Sequence, residues 1–264
     1  MARSVLLTGA GGRVGQAILR NIGTDYDWRL LDREPLPAAK LPEGVDNSDV
    51  YVADVTDREA VRNAAKGCEI IIHLAGDPRP NAPWESVFHN NIDGTQSVLQ
   101  TAVDLGVEKV AFASSNHAVG NYETESKKPD LYRTHDDFTL DGTELQRPSN
   151  LYGVSKAAGE TLGQYYHDEH DLSIVCVRIG NLTEGHPPRN YERGQAMWLS
   201  YRDCAHLFER SIIADYGFEI VYGISDNDRK YYSIENTRRV LDYEPTDNSA
   251  EYHLDGTPKD ESKA

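Results

Sequence analysis

Tyr152 and Lys156 stand four residues apart in Tyr152-Gly153-Val154-Ser155-Lys156, a stretch that reads as helix, so their side chains share one face. A free phenol titrates near pH ~10 and is a poor base at neutral pH, and a neighbouring ammonium favours the phenolate. Upstream, Phe112-Ala113-Ser114-Ser115-Asn116-His117 closes a β-rich run, and Ser115 there has a hydroxyl able to hold a substrate hydroxyl. Taken together, a proton acceptor, a cationic helper and a hydroxyl donor suit proton removal from an alcohol. A Tyr/Lys pair on a helix also arises by chance, and a serine at a strand end is often only a turn residue, so the elements that would position these groups must be found.

The first of these is a glycine loop. Thr8-Gly9-Ala10-Gly11-Gly12-Arg13-Val14-Gly15 follows a short apolar run and opens a helical pattern, with Gly9, Gly12 and Gly15 spaced G-x-x-G-x-x-G. Gly9 allows the tight turn, Gly12 the approach of a pyrophosphate, and Gly15 close packing of helix on strand, while Arg13 and Val14 open the helix whose N–H groups face the anion. Asp32 ends the second apolar run 17 residues beyond Gly15, where a carboxylate accepts bonds from both adenosine ribose hydroxyls and repels a 2′-phosphate. NAD is therefore expected over NADP, with Arg33 as a neighbour able to offset part of that repulsion. Asp54-Val55 is placed to hold the adenine, and the small residues of His73-Leu74-Ala75-Gly76 let backbone lie against a dinucleotide. His73 itself reads as a core histidine.

Short apolar runs at 4–7, 28–31, 50–52, 70–74, 109–113 and 173–178 alternate with helical patterns at 13–22, 58–65, 88–105 and 152–170. Continuous apolar runs of this kind are strands buried on both faces. The fold expected is α/β, a Rossmann-like doubly wound parallel sheet, with residues 1–180 as an NAD-binding and catalytic domain and 181–264 as a small substrate-binding region. In the latter, a helix is expected near 201–214, a strand near 219–222, and a polar tail from about 247, frayed at its end.

The chain carries 27 Lys+Arg against 43 Asp+Glu, a formal net charge of −16 that repels nucleic acid and anionic membranes. Lysine accounts for only nine of the basic residues. Acid spread along the chain in this way resembles proteins of salt-loaded cytoplasm, where ions screen the self-repulsion, although an ordinary acidic enzyme is also compatible with it. No run of about 18 apolar residues offers a membrane span, and the glycine loop interrupts the start before a secretory signal could develop, so a cytoplasmic protein is expected. Cys68, Cys176 and Cys204 are scattered, without metal-ligand spacing, and no metal is expected.

The runs TGAGGRVG, HLAG, HNNIDGT, ASSNH, YGVSK and VRIGN resemble the extended short-chain dehydrogenase/reductase family over the first 180 residues. That resemblance implies hydride transfer with a nicotinamide dinucleotide and makes Ser115, Tyr152 and Lys156 the catalytic set. It adds Asn91 as a polar support, and Leu74, Ala75, Gly76 and Ile179 as lining of the cofactor site. Asp77, Asn116, His117 and Asn181 are implied around the substrate, and a homodimer or higher homo-oligomer through the helix at 152–170. FASSNHAVGNY, LYGVSK, MWLSYRD and VYGISDND are similar, more narrowly, to uronate dehydrogenases and to the NAD-dependent glucose-6-phosphate dehydrogenases of halophilic archaea, which oxidise a sugar at the anomeric carbon to a lactone.

In the uronate enzymes an arginine at the position of Arg193 holds the sugar carboxylate. Here Gly185-His186-Pro187-Pro188-Arg189 adds His186 and Arg189 nearby, a local basic cluster that suits a phosphate better than a carboxylate, unless it is a solvated loop. Glucose 6-phosphate is the expected substrate and a uronate the alternative. A nucleotide-sugar epimerase has little room, since 86 residues follow Arg178. A non-catalytic NAD-binding redox sensor would have no need of both Tyr152 and Lys156.

Overall fold

The computed structural model describes residues 2–124 and 139–260. Seven strands form one parallel sheet: β1 (Ser4–Thr8), β2 (Asp27–Asp32), β3 (Val50–Val52), β4 (Ile70–His73), β5 (Lys109–Ser115), β6 (Ser173–Ile179) and, after a small two-stranded sheet of β7 (Asn181–Thr183) and β8 (Trp198–Ser200), β9 (Phe218–Gly223). Their spatial order is β3-β2-β1-β4-β5-β6-β9, and each neighbouring pair is parallel. The order reverses between β1 and β4, and it is outside the carboxyl ends of strands at such a reversal that ligands bind.

The period-2 alternation of the strands sorts the core into two layers. Val5, Leu7, Ile70, Ile72, Ala111, Ala113, Val175 and Val177 face helices α1 (Arg13–Ile22) and α8 (Tyr201–Ile213) through Ile18, Leu207 and Phe208. Leu6, Ile71, Val110, Phe112, Ile174 and Cys176 face α2 (Arg58–Ala65), α4 (Gly94–Leu105) and α6 (Leu151–His170) through Val61, Val98, Ala102 and Tyr166. The doubly wound architecture expected from the sequence is the one present.

Shorter helices fill the remaining connections: α3 (Trp84–Ser86), α5 (Asn121–Thr124), α7 (Glu192–Ala196) and α9 (Glu235–Leu241). The single helix expected at 88–105 departs from expectation, since Val87–Asp93 is π-helical and only then runs into α4. The wider turn carries Asn91 inward, where its amide donates to the Asp77 carbonyl at 3.1 Å and to Ser155 Oγ at 2.8 Å and accepts from Asp77 N at 2.6 Å. Beyond residue 180, β9 joins the main sheet on β6. The polar segment from Asp247 is tied down as far as Lys259: Asp247 accepts from Ser200 and Arg202, and Lys259 N donates to the Glu251 carbonyl at 2.8 Å. The end expected to fray, residues 261–264, lies outside the described residues.

One buried ion pair joins four of these elements. Arg178 on β6 is fully buried and donates twice to Glu160 of α6, through Nε at 2.8 Å and Nη2 at 2.9 Å. Its remaining arm reaches Glu144 and the Tyr222 hydroxyl of β9, while Ser114 of β5 donates to Glu160 at 2.6 Å. Removing one partner leaves an uncompensated charge in the core. Arg178→Ala is expected to cost about 3 to 5 kcal/mol in denaturant unfolding, and a loss under 1 kcal/mol would show that the network is solvated.

Candidate active site

A cleft of about 760 Å³ runs along the carboxyl ends of the strands, from the glycine loop to α7. At its dinucleotide end, Gly9 has φ +71°, and a Cβ there would lie 2.8 Å from the backbone N of Ala75, so the ends of β1 and β4 can touch only without a side chain. Gly12 is the N-cap of α1 and supplies no side-chain cap, which leaves the first N–H groups of a ten-residue helix for an anion. Arg13, Val14 and Gly15 continue this wall. Asp32, at the end of β2, accepts from Gly11 N at 2.8 Å and lines the same cleft, as do Asp54, Val55, Leu74, Ala75, Gly76 and Ile179.

An open glycine cradle, an uncapped helix end and a carboxylate one strand away fit a dinucleotide with free ribose hydroxyls. Asn91 is not part of the wall: it is buried behind it, fastening Asp77 to α6. Lys40, which lines the cleft and donates to the Gly11 carbonyl at 3.1 Å, had no periodic signal in its Pro-rich loop.

At the centre, Ser115 and Tyr152 line the cleft together. Burial pushes the phenol up, the nearby Ser115 hydroxyl pulls it down, and the Asp77 carboxylate adds to the rise. Lys156, one turn along α6, is buried with Nζ 5.0 Å from the Phe112 ring centre and 5.6 Å from that of Tyr152. Desolvation lowers its ammonium from 10.5 to about 8. His73 lies beneath, between Thr8 at 2.8 Å and Thr95 at 3.0 Å, and burial and the Lys156 charge hold it down to about 3. It is a neutral core histidine, as its sequence context suggested.

The far end contains Asn116, His117, Asn181 and Arg193, together with Tyr191 and Met197, which the sequence did not announce. Asp77 lines the wall, but its carboxylate is committed to Arg79 and Ser86, whose hydrogen bonds hold it well below the usual range. Arg193 is paired with Glu123 and donates to the Tyr191 hydroxyl at 2.9 Å. Burial works against its charge, and Glu123 more than offsets this. Tyr231 and Tyr232 also donate to Glu123.

The expected basic cluster does not assemble. His186 turns its ring to the Pro187 carbonyl at 2.8 Å, and exposed Arg189 lies along Gly256, so neither lines the cleft. The cause is the tight Gly185 turn, which bonds Thr183 to the His186 carbonyl and points the loop away. Among the described residues no group of three His, Cys, Asp or Glu is placed to hold a metal ion, and no helix is long and apolar enough to cross a membrane.

A glycine cradle and a Ser/Tyr/Lys set in one cleft of a doubly wound sheet define a dinucleotide-dependent oxidoreductase. The chain belongs to the NAD dependent epimerase/dehydratase family, whose model matches residues 5–202. It is 71% identical to the NAD-dependent glucose-6-phosphate dehydrogenase of Haloferax volcanii, over 99% of this chain and 100% of that protein. It is 33% identical to the uronate dehydrogenase of Pseudomonas syringae pv. tomato, over 93% and 82% of the two chains. A mutant uronate dehydrogenase from Agrobacterium tumefaciens, solved in complex with NAD, superposes with a TM-score of 0.80 at 29% identity, covering 98% of this chain and 92% of that one.

Lys156 gives a pH test. Between about 8 and the ordinary 10.5 the unfolded chain holds a proton that the folded chain has released, so rising pH favours the folded state through this group. The unfolding free energy of the native protein minus that of Lys156→Met should rise across this window by up to roughly 3 kcal/mol. A flat difference would mean that Lys156 titrates normally.

Proposed function

We propose that the protein oxidises glucose 6-phosphate at C1 to the lactone with NAD, its residues 1–180 holding the dinucleotide and the catalytic set and 181–264 supplying the far end of the substrate site. The observation that carries this reading is that Ser115, Tyr152 and buried Lys156 line the same cleft as the glycine cradle, with Lys156 Nζ 5.6 Å from the Tyr152 ring centre. The full-length identity to a glucose-6-phosphate dehydrogenase supports the substrate.

Gly9, Gly12, the α1 N-terminus and Asp32 would hold the dinucleotide, with Asp32 favouring a free 2′-hydroxyl. NAD, when bound, supplies the hydride acceptor. Ser115 holds the C1 hydroxyl, Tyr152 takes its proton, and the Lys156 ammonium stabilises the phenolate against the burial that otherwise keeps the phenol protonated. Asn116 and His117 position the ring, and Arg193 with Tyr191 holds the remote phosphate, fixing which carbon faces the cofactor.

The protein is also proposed to be cytoplasmic and to form homodimers or larger homo-oligomers through α6, whose exposed Leu151, Val154 and Tyr165 support that face as an interface. Neither nucleic acid nor membrane is proposed as a partner.

Initial NADH formation with glucose 6-phosphate, glucose, glucuronate, galacturonate and UDP-glucose, at low and at molar salt, should show glucose 6-phosphate preferred. Faster oxidation of a uronate would replace the phosphate reading and keep Arg193 as the carboxylate's partner. Arg193→Ala should lower kcat/KM for glucose 6-phosphate by roughly ten- to a hundredfold, the scale of one lost charge-assisted contact, and change that for glucose little. An equal loss on both sugars would count against the phosphate contact. Tyr152→Phe should lower kcat by about 10²- to 10⁴-fold with NAD binding retained. Near-native turnover would place the base elsewhere.

A further inference from the structure

Asn150 uses both arms of one amide. Its Oδ1 accepts the Gly153 N–H at 2.8 Å and caps α6. Residue 153 is glycine because a Cβ there would run into the His117 carbonyl oxygen, so the start of α6 is pressed directly onto the turn that carries His117. With the oxygen taken, the other arm of the amide is Nδ2, and it stands 2.9 Å from Nδ1 of His117. An amide NH₂ can only donate. Nδ1 must therefore carry a lone pair, and the proton of the neutral ring sits on Nε2.

The ring has little freedom to do otherwise. It packs edge-on against Tyr152, with centres 5.6 Å apart at 72°, and its own backbone N–H donates to Ser115 Oγ at 3.2 Å. Arg193 of α7 and Glu123 of α5 are the charged groups that bear on it; of its neighbours, Asn150 is a neutral amide and Tyr152 is the titratable phenol. Burial and the Arg193 charge favour the uncharged ring, and Glu123 opposes them. His117 lines the cleft, and its Nε2 makes no hydrogen bond among the described residues.

We propose that Asn150 is a positioning residue that holds His117 as its Nε2–H tautomer, so that the ring presents an uncharged hydrogen-bond donor to an oxygen of the sugar. The contact with the sugar rests on the function proposed above; the tautomer does not. The helix that carries Tyr152 thereby sets the hydrogen-bonding sense of the ring packed against Tyr152.

Asn150→Asp tests this, because Asp is an equally good N-cap but offers His117 Nδ1 an acceptor in place of a donor. The full-length protein, labelled with ¹⁵N at its nine histidines and assigned with a His117→Gln variant, is titrated by NMR until the His117 ring is neutral. The native ring should show Nε2 as pyrrole-type and Nδ1 as pyridine-type, and the Asp variant the reverse, with an unchanged thermal midpoint. Asn150→Ser, which keeps a cap and loses the amide donor, should give a mixture of the two. In the Asp variant kcat/KM for glucose 6-phosphate should fall by roughly ten- to a hundredfold with KM for NAD unchanged.

A pyridine-type Nε2 in the native protein, or no reversal in the Asp variant, overturns the tautomer assignment. Reversal with unchanged sugar kinetics overturns the donor role. A native enzyme that ignores glucose 6-phosphate refutes the proposed substrate while leaving the NMR result to decide the tautomer.

Discussion

The bidentate pair between Arg178 and Glu160 fixes the one register on which the site depends. Glu160, Lys156 and Tyr152 follow each other at four-residue steps on α6, so anchoring the first sets the height of the other two above β5. Ser114, which donates to Glu160, directly precedes Ser115, which lines the cleft with Tyr152. A slip of one residue along α6 would turn the Tyr/Lys face by about 100° and leave a buried guanidinium facing apolar side chains. An apolar pair at these two positions would be easier to bury, but it would hold the helix with far less directional precision.

The same device recurs at three acids around the cleft, whereas buried Asp203 is held by Ser225 and the backbone N–H groups of Thr246 and Asp247. Glu123 is closed by Arg193, Asp77 by Arg79 and Glu160 by Arg178, each inside or next to the cleft. A planar guanidinium serves two oxygens at once and keeps its charge when buried, which an ammonium does less well. That gives a physical use for a chain in which arginine outnumbers lysine two to one. Lys156 is the informative exception, since its burial without a carboxylate moves its titration close to neutral pH.

The sheet was legible because buried parallel strands are continuous apolar runs, and the glycine loop because its geometry is local to eight residues. Ser115, Tyr152 and Lys156, read from separate motifs, line one cleft. Features built by distant parts of the chain were not legible. The π-helical stretch at Val87–Asp93 accompanies Asn91 reaching Ser155, sixty-four positions on. β7 and β8 are three residues each, too short to show a period. The misread basic cluster has the same origin: proximity in sequence put His186 and Arg189 beside Arg193, while a turn at Gly185 sends them elsewhere and Glu123, seventy residues upstream, takes the place at its side.

The return of β9 to the edge of the main sheet bears on how such a chain can be divided or recombined. Cutting after β6 would turn an interior strand into an exposed edge whose six registered pairs, Ile174↔Phe218 through Ile179↔Gly223, are lost, and would strip Arg178 of Tyr222. The segment bearing Arg193 is thus no exchangeable module clipped onto a finished nucleotide-binding core; it closes that core. A graft of another enzyme's sugar-binding loops would have to spare both β9 and α8, whose Leu207 and Phe208 pack on the sheet, to leave the fold cooperative.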